Sequence, residues 1–219
     1  MDVQTFVEHL GSANQEVLER LAPSETLVAE SGGDLRLENL LKIALKNELE
    51  ATELAARWLV STEDVDIKIA LARQAGDEAK HYRLIADHLR ALGVDLTTFD
   101  PLAQGYGPLF HYLDALTDPV ERIAAGQFTR EAIAVVKNQQ FIDWCEAGGH
   151  TQTAALYRDI IQPDEAYHHQ LGRDILLRLA TTPEAQDRAT QAATRTLELA
   201  EELQHLALTK LGVHHAPGC

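Results

Sequence analysis

The chain has 219 residues, 45% hydrophobic and 24% charged, which suits one domain with a dry core and excludes a disordered chain. Nineteen basic residues against 34 acidic ones leave a net charge of −15, a field that repels polyanions, so nucleic acid is not expected as a partner. Only two cysteines occur, Cys145 and Cys219, too few for a disulfide framework, a four-cysteine zinc site or a rubredoxin-type iron site.

The opening Met1-Asp2-Val3 lacks the basic-then-apolar pattern of a secretion signal. The longest apolar run, Ala132 to Val136, is far below the roughly 20 residues a membrane helix needs. A soluble, cytoplasmic protein with no membrane partner is the expectation. Aromatics are 5%, thin for a β protein, and the periodicity is helical throughout.

In chain order, a first helix is predicted from Val3 to Leu21, ending before Pro23. A second begins after Gly32-Gly33, with Asp34 as N-cap, and runs to Val60. The third covers Glu63 or Asp66 to Leu92 and closes at Gly93. From 94 to 117 the pattern breaks around Pro101, Gly105, Gly107 and Pro108, leaving room for one short helix. Asp118-Pro119 opens a long helix to Glu146, followed by Gly148-Gly149. Further helices are predicted from Thr151 to Ala180 and from Thr182-Pro183 to Leu211, then a mobile tail at 213–219. Short turns make the members of each central helix pair antiparallel, and the stretch between the pairs, about 80 Å if extended, can travel the length of a helix. The predicted architecture is all-α: one domain over 1–212, built on a four-helix bundle with one long crossover and flanked by N- and C-terminal helices.

Each central helix carries a glutamate in the middle of its apolar stripe: Glu48, Glu78, Glu131 and Glu165. A buried, charged and unpaired carboxylate costs several kcal/mol, so a compensating partner is required. Two of the four are followed at i+3 by histidine, His81 and His168, on the same helix face. Four carboxylates and two neutral imidazoles balance two divalent cations. This oxygen and nitrogen donor set suits iron or manganese, or a mixed pair, better than zinc or calcium. Glu50 is an alternative to Glu48 as the first ligand. Asp77 and Asp164, each one residue before a Glu-x-x-His, are candidates to accept the outer imidazole N–H, of either their own or the opposite helix's histidine. Tyr82 and Tyr167 flank the histidines as redox-active phenols or as packing. Pro163 inside a helical run implies a kink or wide turn, or a helix boundary. His169 points away from the stripe, and Glu202-x-x-His205 on the last helix reads as a solvated face.

The set Glu48, Glu78-Ala79-Lys80-His81, Glu131 and Glu165-Ala166-Tyr167-His168, spread over residues 34–180, resembles the ferritin-like di-iron carboxylate superfamily. Parts of it look like aldehyde-deformylating oxygenases, and Leu156-Tyr157-Arg158 through His168 like tRNA-modifying di-iron hydroxylases. The resemblance implies two iron ions, with carboxylates of the Glu78 and Glu131 type, or their symmetry mates, bridging them and one histidine capping each. It further implies an oxidoreductase that activates O2 on a small or lipid-like organic substrate with an electron donor, and a homodimer as the family-level assembly. A ferroxidase or iron-handling cage and a rubrerythrin-like peroxidase are the alternatives within that resemblance. A metal-free helical scaffold is the alternative outside it.

Overall fold

The structure, a computed structural model, describes residues 1–22, 27 and 36–209. Among them are seven helices and no strand. Helix α1 spans Val3–Leu21, with the Asp2 carboxylate accepting from the Thr5 N–H at its open end. Helix α2 spans Leu37–Ser61, and α3 spans Val65–Ala91, capped by Asp64 on the Ile67 N–H. Gly93, at φ +85°, makes the left-handed step that ends α3. The crossover contains α4, Pro108–Ala115.

Helix α5 runs over 119–147 as three continuous pieces: Pro119–Ile123, a widened π segment Ala124–Arg130, and Glu131–Ala147. Helix α6 covers 151–179 in the same manner, with Thr151–Leu156, a π segment Tyr157–Ile161 and Gln162–Leu179. Pro163 therefore lies inside a helix and not at a boundary. It has no N–H to give to the carbonyl four residues back, and the wide turn just before it absorbs that loss. Helix α7 is Pro183–Thr209. The Asp34 cap and the tail at 213–219 lie outside the described residues.

Two apolar cores occupy the two ends of the molecule. One joins Phe6 and Leu10 of α1, Trp58, Leu71, Phe128, Ile175 and the start of α7. The other joins Leu41, Ala44, Leu45, Ile85, Leu89, Phe141, Tyr157 and Ile161. The glutamate positions 48, 78, 131 and 165 fall between these two sets on every one of α2, α3, α5 and α6. The expected four-helix bundle with outer helices laid on it is corrected here. Helix α1 shares the first core, and α7 packs along the π segment of α5. A third cluster, Leu18, Leu21, Ala132, Ile133, Leu197 and Ala200, joins α1, α5 and α7. The terminal helices bury apolar faces as the central ones do, so they are part of the body.

Candidate metal centre

Six side chains predicted from four helices meet in one cluster, all fully buried: Glu48 from α2, Glu78 and His81 from α3, Glu131 from α5, Glu165 and His168 from α6. They form two overlapping donor groups. Glu48, Glu78, His81 and Glu165 offer one set of ligand atoms, all within 4.8 Å of one another, and Glu78, Glu131, Glu165 and His168 offer the other. Glu78 and Glu165 belong to both groups, whereas Glu48 and Glu131 each belong to one.

The outer partners resolve crosswise. His81 Nε2 lies 3.0 Å from Asp164 Oδ2, and His168 Nε2 lies 3.3 Å from Asp77 Oδ2, so each aspartate serves the opposite helix's ring. That leaves Nδ1 of both rings facing inward, at 3.2 Å from Glu78 Oε2 for His81 and 3.3 Å from Glu165 Oε2 for His168. Lys80 closes the outside, its ammonium 2.5 Å from Asp164 and 3.4 Å from Asp77. A buried relay absent from the sequence reading completes the set: Gln127 donates to Gln74, and Gln74 donates to Glu131 at 2.6 Å. Gln74 sits one turn before Glu78 on the same face. That spacing is the signal that identifies it, since a polar side chain in an apolar stripe needs a partner.

The electrostatics are those of a tightly packed anionic core. Burial raises the Glu48 carboxyl to about 7, against the attraction of His81, and burial together with the Glu78 charge raises Glu165 well above the carboxylate range. Burial also works against ionised Glu78, but hydrogen bonds from His168 and His81 prevail and hold it below that range. For the histidines, burial favours the neutral ring but is outweighed. Glu48 and Glu78 lift His81 to about 12, and Glu165 and Glu78 lift His168 to about 11.

The remaining predicted residues fall elsewhere. Glu50 turns away from the cluster, accepting the Gly107 N–H at 2.7 Å and lying 3.7 Å from Lys46. Tyr82 packs beside the second apolar core. Tyr167 is part-exposed, with Arg73 3.6 Å over its ring. His169 Nδ1 meets the Phe128 carbonyl at 2.7 Å, away from the cluster. Glu202 pairs with Arg195 on an exposed face.

Both wide turns precede cluster residues, and glycine holds one of them tightly. A Cβ on Gly172 of α6 would come within 2.6 Å of the Gln127 and Phe128 backbone, and one on Gly126 within 2.7 Å of Trp58. Without these glycines α6 and α2 could not close on the segment that carries Glu131.

No protein-family model matches the sequence, and no curated protein does. The described structure is similar to the X-ray structure of a TenA homologue from Pyrococcus furiosus, with a TM-score of 0.65 and 16% identity, covering 92% of this chain and 99% of that one. That likeness extends over nearly the whole chain and identifies a TenA-like all-helical fold. The ferritin-like resemblance is thereby overturned. With it go the O2-activating di-iron oxidoreductase and the ferroxidase and peroxidase alternatives it implied, and the comparison lends no support to the metal-free scaffold. The physical reason is that a Glu and Glu-x-x-His pattern specifies which helix faces meet, and more than one helical architecture brings four such faces together. What this comparison establishes is the fold alone: a TenA-like all-helical arrangement.

Proposed function

We propose that this chain is a dinuclear metal-binding protein in which Glu48, Glu78, His81, Glu131, Glu165 and His168 hold two divalent cations, iron or manganese. The observation that carries the reading is a set of orphaned oxygens. Both oxygens of Glu48 and Oε1 of Glu165 are fully buried and accept no hydrogen bond. Buried carboxylate oxygens are rarely left so, and divalent cations suit them in charge and in donor chemistry. Two adjacent divalent ions would supply Lewis-acid activation of an oxygen ligand.

The chain's own residues do the rest. Asp164 and Asp77 accept the outer N–H of His81 and His168, which fixes both tautomers with Nδ1 inward. Gln74 orients Glu131, and the apolar cores above and below exclude water. The test is metal content per chain after anaerobic Fe(II) loading and, separately, Mn(II) loading. About two ions per chain are expected in the wild type. Glu165→Ala, which touches both groups, should leave almost none, and Glu48→Ala should leave about one. Wild-type protein without stoichiometric metal, or unchanged content in Glu165→Ala, would overturn the reading.

A further inference from the structure

All six donor side chains of the cluster are fully buried, so an ion reaches them only by crossing a layer of other side chains. At its two ends lie the apolar cores, which oppose passage of a hydrated cation. Toward α2 and the π segment of α5 stand the amides of Gln74 and Gln127 and the guanidinium of Arg130, 3.7 Å from Glu131 and of the same sign as an incoming ion. The side formed by α3 and α6 is different. Behind each imidazole a carboxylate reaches the surface: Asp164 behind His81, its side chain 20% exposed, and Asp77 behind His168, 18% exposed.

One side chain closes this layer. Lys80, 36% exposed, sets its ammonium 2.5 Å from Asp164 and 3.4 Å from Asp77, and so ties α3 to α6. Asp77 has a second cation, Arg73 at 3.4 Å, whose guanidinium also rests 3.6 Å from the centre of the Tyr167 ring. Among the described residues, Lys80 is the one lysine or arginine paired with Asp164. Directly inside the His81 ring stand oxygens that accept no hydrogen bond, Glu48 Oε2 at 3.4 Å and Glu165 Oε1 at 3.5 Å from Nδ1. A single imidazole therefore separates a surface carboxylate from the orphaned oxygens of the cluster.

We infer that divalent cations enter the centre here, and that Lys80 is the latch. Its ammonium covers the outer face of Asp164 and must swing into solvent before a cation can take its place there and pass the His81 ring. A lysine suits this task, because a point charge on a flexible four-carbon stem leaves a carboxylate more readily than a forked guanidinium does. Once the aspartates are uncovered, the charge of −15 over the chain favours the approach of cations. Lys80 is a positioning residue and holds no ion itself. The inference rests on the proposed metal centre and adds the path by which it fills.

The experiment follows Mn(II) uptake by metal-free protein, read by metal analysis of samples desalted at timed intervals, and Mn(II) release after loaded protein is mixed with excess EDTA. Lys80→Met is expected to hold about two ions, as the wild type does, with uptake and release each about fivefold or more faster. Lys80→Arg keeps the bridge and should return both rates to the wild-type value or below it. Arg130→Met removes the same charge from the opposite side and should leave both rates unchanged. A purely structural role for Lys80 would lower Tm in Lys80→Met without moving the rates. Unchanged rates or lost metal in Lys80→Met, equal acceleration in Arg130→Met, or a Lys80→Arg variant as fast as Lys80→Met would each overturn the inference and leave the metal centre standing. A wild type that takes up no metal would overturn the centre and the entry path with it.

Discussion

Glu48 is fully buried, its oxygens accept no hydrogen bond, and its charge is opposed chiefly by His81 Nδ1 at 3.4 Å. Such a residue is a cost to the metal-free fold. Replacing it with an apolar side chain of similar size should therefore stabilise that state while impairing cation binding. Glu48→Leu is expected to raise the metal-free Tm by about 2–8 °C and to lower metal content, a pairing that differential scanning calorimetry with metal analysis reads directly.

The pH dependence of the metal-free protein follows from the same groups. His81 and His168 have pKa values raised by folding to about 12 and 11, and Glu48 is raised to about 7, so the native state binds these protons more tightly than the unfolded chain. Their contribution is complete below the unfolded values and is lost as pH climbs through the folded ones. The metal-free Tm should fall between pH 6 and 9. Metal-loaded protein should lose less, since cations replace the protons. A metal-free Tm that rises over that interval would contradict the assigned electrostatics. Cys145 follows the same sign: burial pushes its thiol up to about 12, so it should resist thiol reagents at pH 8 until the chain is unfolded.

At the scale of the helices, two glycines on adjacent elements make a sharp contrast. Gly172→Ala would drive a methyl into the backbone of α5 at 2.6 Å and should cost about 3 kcal/mol in chemical denaturation, disturbing the turn before Glu131 as well. Gly76 on α3 has nothing within 4 Å of its added Cβ, and Gly76→Ala should stabilise by about 0.4–1 kcal/mol. Helix ends were partly legible in the chain because they are written in local chemistry: Asp118-Pro119 and Thr182-Pro183 open helices and Gly93 terminates one, whereas the caps Asp2 and Asp64 are absent from the sequence reading. Pro163 signalled a distortion, since loss of an N–H is a local fact. The matching wide turn at Ala124–Arg130 has no proline, and its cause lies in what packs on it, Trp58 on one side and the Gly172 stretch on the other. Nothing in a single segment could report that.

At the scale of the whole molecule, α7 buttresses the segment that positions Glu131. It lies against the π segment that leads into Glu131, and Ala185, Ala189, Ala192 and Ala193 complete the core around Phe128. A chain ending at residue 181 exposes that surface. It should be insoluble or lack cooperative unfolding, and should bind no stoichiometric metal, as size-exclusion chromatography, circular dichroism and metal analysis would show. No described helix is long and apolar enough to cross a membrane.

Four glutamates and two histidines placed in apolar stripes are legible as one cluster because a helix holds i and i+3 on one face, and because a buried charge demands a partner wherever the helices go. The helical class, the punctuation between helices and the choice of Glu48 over Glu50 for the inward face rest on that same short-range periodicity. The TenA-like arrangement, the crosswise pairing of Asp77 and Asp164, the sharing of Glu78 and Glu165, and the place of Gln74 depend on which helix lies beside which. Only the packing of all seven helices settled those, because several architectures bury the same stripes and the contacts that choose among them join residues far apart in the chain.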